Sequence, residues 1–195
     1  MKNLRAERAA LRSGLLAMTV LLATPPASAR TIEGVSLPEK DVVDGHTVIL
    51  NGAALFEATF MKLDVYVVGL YLSHREHEPS RIARCTDVWR VRLTFLMDVP
   101  RSRYQSGFRD AFDRRSGRSS IDGASIERFI ASLPAISRGD VHELTFRPGS
   151  GVELSVNGRT RAIIDGRGFC GLVIRGFVDP KDAPPGIAER LVAHR

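Results

Sequence analysis

Residues 48–72 read V-I-L-N-G-A-A-L-F-E-A-T-F-M-K-L-D-V-Y-V-V-G-L-Y-L, the longest run of strand character in the chain. Val, Ile, Phe, Thr and Tyr dominate it, and such side chains suit a pleated, half-buried surface. In the last segment Val65, Val67, Gly69 and Tyr71 fall on one face, and Tyr66, Val68, Leu70 and Leu72 on the other. Apolar groups on both faces call for cover on both sides. Asn51-Gly52 interrupts the run, and Asn-Gly is the strongest short turn signal because both residues tolerate positive φ. The stretch predicts the central hairpin of a sheet, with helices on one face.

The flanking sequence supplies the rest of that sheet. Residues 31–38 alternate Ile32, Val35 and Leu37 and read as a short first strand. Val42-Val43, then Asp44-Gly45, then residues 47–50 read as strand, turn, strand. A single helical turn over residues 80–85 is entered through Pro79. Residues 88–97 form a strand with Val91, Leu93 and Phe95 on a buried face and Arg90, Arg92 and Thr94 on a wet, basic one.

Pro100 opens a helix whose apolar stripe is Tyr104, Phe108, Ala111 and Phe112. Gly117 stops it, and a second helix covers residues 123–133. Three short strands follow (141–147, 152–156 and 160–164), separated by P-G-S-G and N-G turns. An apolar helix over residues 166–178 and a closing helix over 185–193 end the chain. Strands, then helices, then a meander, then helices is not a βαβ order. It predicts an α+β fold, an antiparallel sheet with helices gathered on one face.

The first 29 residues stand apart. Lys2, Arg5, Arg8 and Arg12 precede the apolar segment L-L-A-M-T-V-L-L-A, and Ala27-Ser28-Ala29 is an A-x-A cleavage signal. The expectation is a signal peptide over residues 1–29 and a single domain over residues 30–195, periplasmic or secreted. No other segment reaches 18 apolar residues, so that domain is expected to be soluble. Without the leader's four basic residues and Glu7, the net charge falls from +6 to +3, which argues against nucleic acid. Cys85 and Cys170 fall in the exported part. A disulfide and a pair of free, buried thiols both stay open.

Signals for chemistry are sparse. His74-Arg75-Glu76-His77-Glu78 lacks the i, i+4 pairing of a helical metal site and reads as a solvated loop. Gly149-Ser150-Gly151 reads as a hairpin turn, not a nucleophile elbow. No dinucleotide or phosphate loop and no C-x-x-C occurs, so no cofactor and no metal is expected. Arg101, Arg103, Arg109, Arg114 and Arg115 lie on the helix after Pro100, interspersed with Asp110 and Asp113. They read as a solvated face laced with ion pairs; the alternative is a surface for an anionic membrane or a protein partner. The sequence sets no oligomeric state.

N-G-A-A-L-F, then M-K-L-D-V-Y-V-V-G-L-Y-L, then a Tyr-led helix, then G-D, P-G-S-G and N-G resemble the chalcone isomerase-like domain in its bacterial exported form. The resemblance covers residues 34–192, departing near the end, where relatives carry W-L-G and this chain has Phe177-Val178-Asp179. It implies an open-faced β-sandwich, a large antiparallel sheet with a layer of helices and a ligand cleft between them. It places five residues in that cleft: Phe56, Tyr66, Tyr104, Ala111 and Cys170.

Phe56 stands where the isomerases carry an arginine, Tyr66 for a threonine, Ala111 for an asparagine and Cys170 for a serine or threonine; Tyr104 matches in kind. Loss of the arginine removes the fixed charge an oxyanion needs. The resemblance therefore implies a non-catalytic protein holding a small apolar or fatty-acid-like ligand. The alternative is an isomerase or lyase on an enone, with Tyr104 and Tyr66 as proton donors.

Overall fold

The computed structural model describes residues 29–58, 63–116 and 123–193. Seven antiparallel strands form one sheet in chain order: β3 (Lys40–Val43), β4 (His46–Ala58), β5 (Leu63–Leu72), β6 (Trp89–Phe95), β7 (Val141–Arg147), β8 (Gly151–Val156) and β9 (Arg159–Ile164). Before them β1 (Ala29–Ile32) and β2 (Val35–Pro38) pair as a separate hairpin. The helices are α1 (Pro79–Ile82), α2 (Arg101–Ser116), α3 (Gly123–Ser132), α4 (Arg167–Val178) and α5 (Ile187–Leu191). No described helix is long and apolar enough to cross a membrane. Apart from Ala29, which begins β1, the leader expected over residues 1–29 lies outside the described residues.

The sheet is covered on both faces, by different means. On the helix side Val68, Leu70, Trp89, Val91, Leu93, Phe95, Leu144 and Phe146 meet the helices in one core. On the other side Val67, Tyr71, Val48, Leu50 and Val43 meet Leu37, with Ile32 and Val35 of the β1–β2 hairpin packed against them. Residues 31–38, read as one strand, turn back on themselves instead. Glu33 and Gly34 both take positive φ, 46° and 75°, which closes a two-residue loop.

Asn51-Gly52 is not a turn. It is a bulge inside β4, where the register with β5 shifts between Leu50 and Gly52. Asn51 Nδ2 donates to the carbonyls of Glu76 (2.9 Å) and Leu191 (2.8 Å), and its Oδ1 accepts from the Glu76 N–H at 3.0 Å. A Cβ on Gly52 would lie 2.4 Å from the carbonyl oxygens of Arg190 and Leu191. The pair docks α5 onto the sheet and satisfies one of its C-terminal carbonyls. The link between β4 and β5, residues 59–62, lies outside the described residues. The histidine-containing loop has the same role: a ring nitrogen of His77 lies 3.0 Å from the Val192 carbonyl.

α4 is buried on every side from Phe169 to Val178 except at Arg175, as a helix apolar all round must be. Cys170 on α4 is disulfide-bonded to Cys85, just beyond α1. In the chain-entropy account, a bridge across 85 positions stabilises the fold by about 4–5 kcal/mol. Phe108, Phe112, Phe129 and Phe169 form an aromatic cluster joining α2, α3 and α4, with neighbouring ring centroids 5.2–6.0 Å apart.

The face of β6 and β7 turned away from the helices is polar and closed. Asp41 accepts from Arg90 Nη1 at 2.7 Å and from Arg92 Nη2 at 2.8 Å. Arg92 Nε donates to Glu143 at 2.8 Å, and Arg90 Nε to Thr145 at 3.0 Å. Burial works against the Asp41 charge. The Val42 N–H and the two guanidiniums outweigh it and hold the carboxyl below its usual range.

Candidate functional site

A cavity of about 430 Å³ opens between one end of the sheet and helices α2 and α4. Its volume falls in the range of small-molecule sites, about 300–1,000 Å³. β4 contributes Phe56, β5 Val65 and Tyr66, and β6 Phe95. α2 contributes Tyr104, Phe108 and Ala111, and α4 Val173, Gly176 and Phe177. The helical spacing of Tyr104, Phe108 and Ala111 turns all three toward the sheet.

The rings form a continuous wall. Phe56 pairs with Tyr66 across β4 and β5 and stacks on it with centroids 4.8 Å apart. Tyr66 meets Phe95 edge-on at 5.6 Å, Phe95 meets Tyr104 at 5.6 Å, and Tyr104 meets Phe108 at 5.3 Å. Offset and edge-to-face contacts are the favoured arrangements of such rings. Burial raises the titration of the Tyr66 hydroxyl well above the ordinary tyrosine range, and that of Tyr104 further still. Both therefore stay protonated at neutral pH, as hydrogen-bond donors rather than proton acceptors.

Tyr104 is held from behind. Its hydroxyl lies 3.2 Å from Nδ1 of His142, which projects from β7 into the same core and is fully buried. Burial lowers the His142 titration to about 4, so the ring is neutral near pH 7. Its Nε2 has no hydrogen-bond partner. His142 is not among the candidate residues named from the sequence, although its strand carries a signal for it. The signal was the period of β7, where His142, Leu144 and Phe146 share one buried face.

Four of the five expected cleft residues line this cavity: Phe56, Tyr66, Tyr104 and Ala111. Cys170 does not. It faces α1, where the bond to Cys85 occupies its sulfur, and the α4 wall begins at Val173. Five charged residues also line the space: Asp98, Arg103, Arg114, Arg115 and Asp182. Arg103 and Arg114 are exposed, as a solvated helix face requires. Arg115 is not on that face. It lies 7% exposed against α4, and here the expected solvated arginine stripe breaks. Arg109 is ion-paired with Glu127 of α3, and the Asp113 charge adds to its favourable surroundings.

Among solved structures, a crystal structure of an Arabidopsis thaliana fatty-acid binding protein has the same fold. The match has a TM-score of 0.65 and 16% sequence identity, and covers 85% of this chain and 96% of that one. We found no match among curated protein sequences. The sequence profile described as chalcone isomerase-like matches residues 29–191. With that profile spanning nearly the whole described structure, the chain belongs to the chalcone isomerase-like family.

Proposed function

We propose that this chain is an exported, non-enzymatic binding protein that holds a small apolar or fatty-acid-like molecule between sheet and helices. The observation that carries the reading is the unbroken aromatic wall from Phe56 through Tyr66, Phe95 and Tyr104 to Phe108. Such a wall binds by excluding water from apolar surface, at about 25 cal/mol per Å² buried. The fatty-acid binding protein of the same fold supports this ligand class.

Two features argue against turnover as an isomerase. Phe56 occupies the position where the isomerases carry an arginine, so no fixed charge meets a developing oxyanion there. The tyrosine hydroxyls, raised by burial, are poorly matched to acid–base chemistry at neutral pH. The A-x-A leader and the Cys85–Cys170 bridge together support export, since disulfides persist in oxidising compartments.

The test is to purify the chain without detergent, denature it, extract it with organic solvent and identify what co-purified by mass spectrometry. A fatty acid or isoprenoid near one per chain is expected. An empty extract, with no uptake of fatty acids by the delipidated protein, overturns the binding reading. Turnover of a hydroxychalcone that Tyr104→Phe abolishes would restore the isomerase.

A further inference from the structure

The cavity's least expected lining group is Arg115. Tyr104, Phe108, Ala111 and Arg115 follow at i, i+4, i+7 and i+11, so one stripe of α2 carries both the ring wall and the guanidinium. Arg115 is more than nine-tenths buried, and a buried cation without full pairing is costly. Its Nη2 donates to the Asp182 carbonyl at 3.0 Å and its Nη1 reaches the Leu172 carbonyl at 3.5 Å. Its Nε finds no acceptor. The carboxylate facing it, Asp182, stays 4.0 Å from Nε, at the outer limit of an ion pair. Arg114, Arg175 and Asp179 complete its charged surroundings.

The backbone has made room for this side chain. A Cβ at Gly176 of α4 would come within 2.5 Å of the Arg115 Nη1. The guanidinium thus lies flat on a glycine surface at the cavity wall, its Nε–H still to be matched. Burial pulls the Arg115 titration down from its ordinary value, the direction expected of a cation short of partners.

We infer that Arg115 anchors the oxyanion head of an amphipathic ligand, a carboxylate or a phosphate monoester, whose alkyl chain runs along α2 past Phe108 to Tyr104. Arg115 stands beyond Phe108 at the helix end of the wall, and Phe56 stands at its strand end. Eleven residues of helix separate Arg115 from Tyr104 by about 16 Å, a span that suits an extended chain rather than a single ring. Guanidinium is the side chain suited to both head groups, because its planar fork meets two oxygens at once. Arg103 and Arg114 at the exposed rim attract the same sign of charge.

This inference rests on the binding reading above but can fail separately from it. The experiment is titration calorimetry of the full disulfide-bonded protein with decanoate, decyl phosphate and decan-1-ol, which share a tail and differ in the head. At least one anion is expected to bind about tenfold or more tightly than the alcohol. The tighter of the two names the natural head group. Arg115→Gln is expected to erase that preference while leaving decan-1-ol binding within about twofold of wild type. If the alcohol binds wild type as tightly as both anions, the anchor is overturned and the apolar cavity stands. If none of the three binds, both readings fall. Equal loss of anion and alcohol in Arg115→Gln overturns the anchor by showing a structural arginine. Should that variant not fold, Asp182→Asn decides: removing the carboxylate beside Arg115 is expected to strengthen anion binding severalfold over alcohol binding, and an unchanged preference overturns the anchor.

Discussion

The two sides of the sheet treat their basic side chains in opposite ways. On the side turned away from the helices Arg90, Arg92, Asp41 and Glu143 close on one another, each within 2.8 Å of at least one partner of opposite charge. On the helix side Arg115 and His142 are more deeply buried, yet each keeps one nitrogen without a partner. A closed network holds structure together. A buried polar atom left open costs about 1–3 kcal/mol; Tyr71 and Trp89 carry one each away from the cavity, whereas Arg115 carries its own at the cavity wall. The contrast separates the arginines that hold the fold from the one that faces the cavity.

The largest expected effect is a pH dependence on the helix side. His142 titrates near 4 when folded, against about 6.5 when exposed. As pH falls below 6.5 the unfolded chain takes up the proton first. Stability should therefore fall steadily between pH 6.5 and 4, by on the order of 3 kcal/mol in all. Urea unfolding at several pH values measures it, and His142→Gln should flatten that part of the profile. A slope unchanged by the substitution would assign it to other groups.

Next in size is the closed network of β6 and β7. Arg92→Met strips Asp41 and Glu143 of one of their two shared partners, leaving Arg90, and should cost about 1–3 kcal/mol. Binding of apolar ligands should not change. Arg115→Gln is predicted to lower anion binding instead, while shifting stability by less than about 1 kcal/mol because the buried cation is poorly compensated to begin with. Equal destabilisation by the two substitutions, measured by urea midpoints, would break the contrast. The smallest effect is expected from Gly176→Ala. The new Cβ displaces the Arg115 guanidinium, and anion affinity should fall severalfold, within about 1 kcal/mol. Alcohol affinity in the same variant checks that the cavity itself is intact.

Much of this architecture was legible because it rests on local periodicity. The alternation in residues 63–72 placed apolar groups on both faces of β5, and both faces are covered. The stripe of α2 and the turns of the β7–β9 meander were readable for the same reason. Where a distant element intervenes, local reading fails. Asn51-Gly52 has the chemistry of a turn, but α5, from the far end of the chain, makes it a bulge. Arg115 has the sequence context of a solvated arginine, but the flat surface at Gly176 and the carbonyls of Leu172 and Asp182 receive it inside. Cys170 aligned with a cleft position, whereas its pairing with Cys85 depends on how α4 meets α1. Of the expected cleft residues, those on the sheet and on α2 line the cavity, since strand and helix periods set their directions.

The central claim is that the space beside Tyr104 and Phe108 is a ligand site rather than a packing gap. Isotope-filtered nuclear Overhauser spectra of the protein with ¹³C-labelled decanoate test it most directly. The account predicts contacts from chain methylenes to the rings of Phe56, Tyr66, Tyr104 and Phe108, with the carboxyl-proximal methylene nearest Arg115. Contacts confined to other surfaces, or none at saturating ligand, would contradict it.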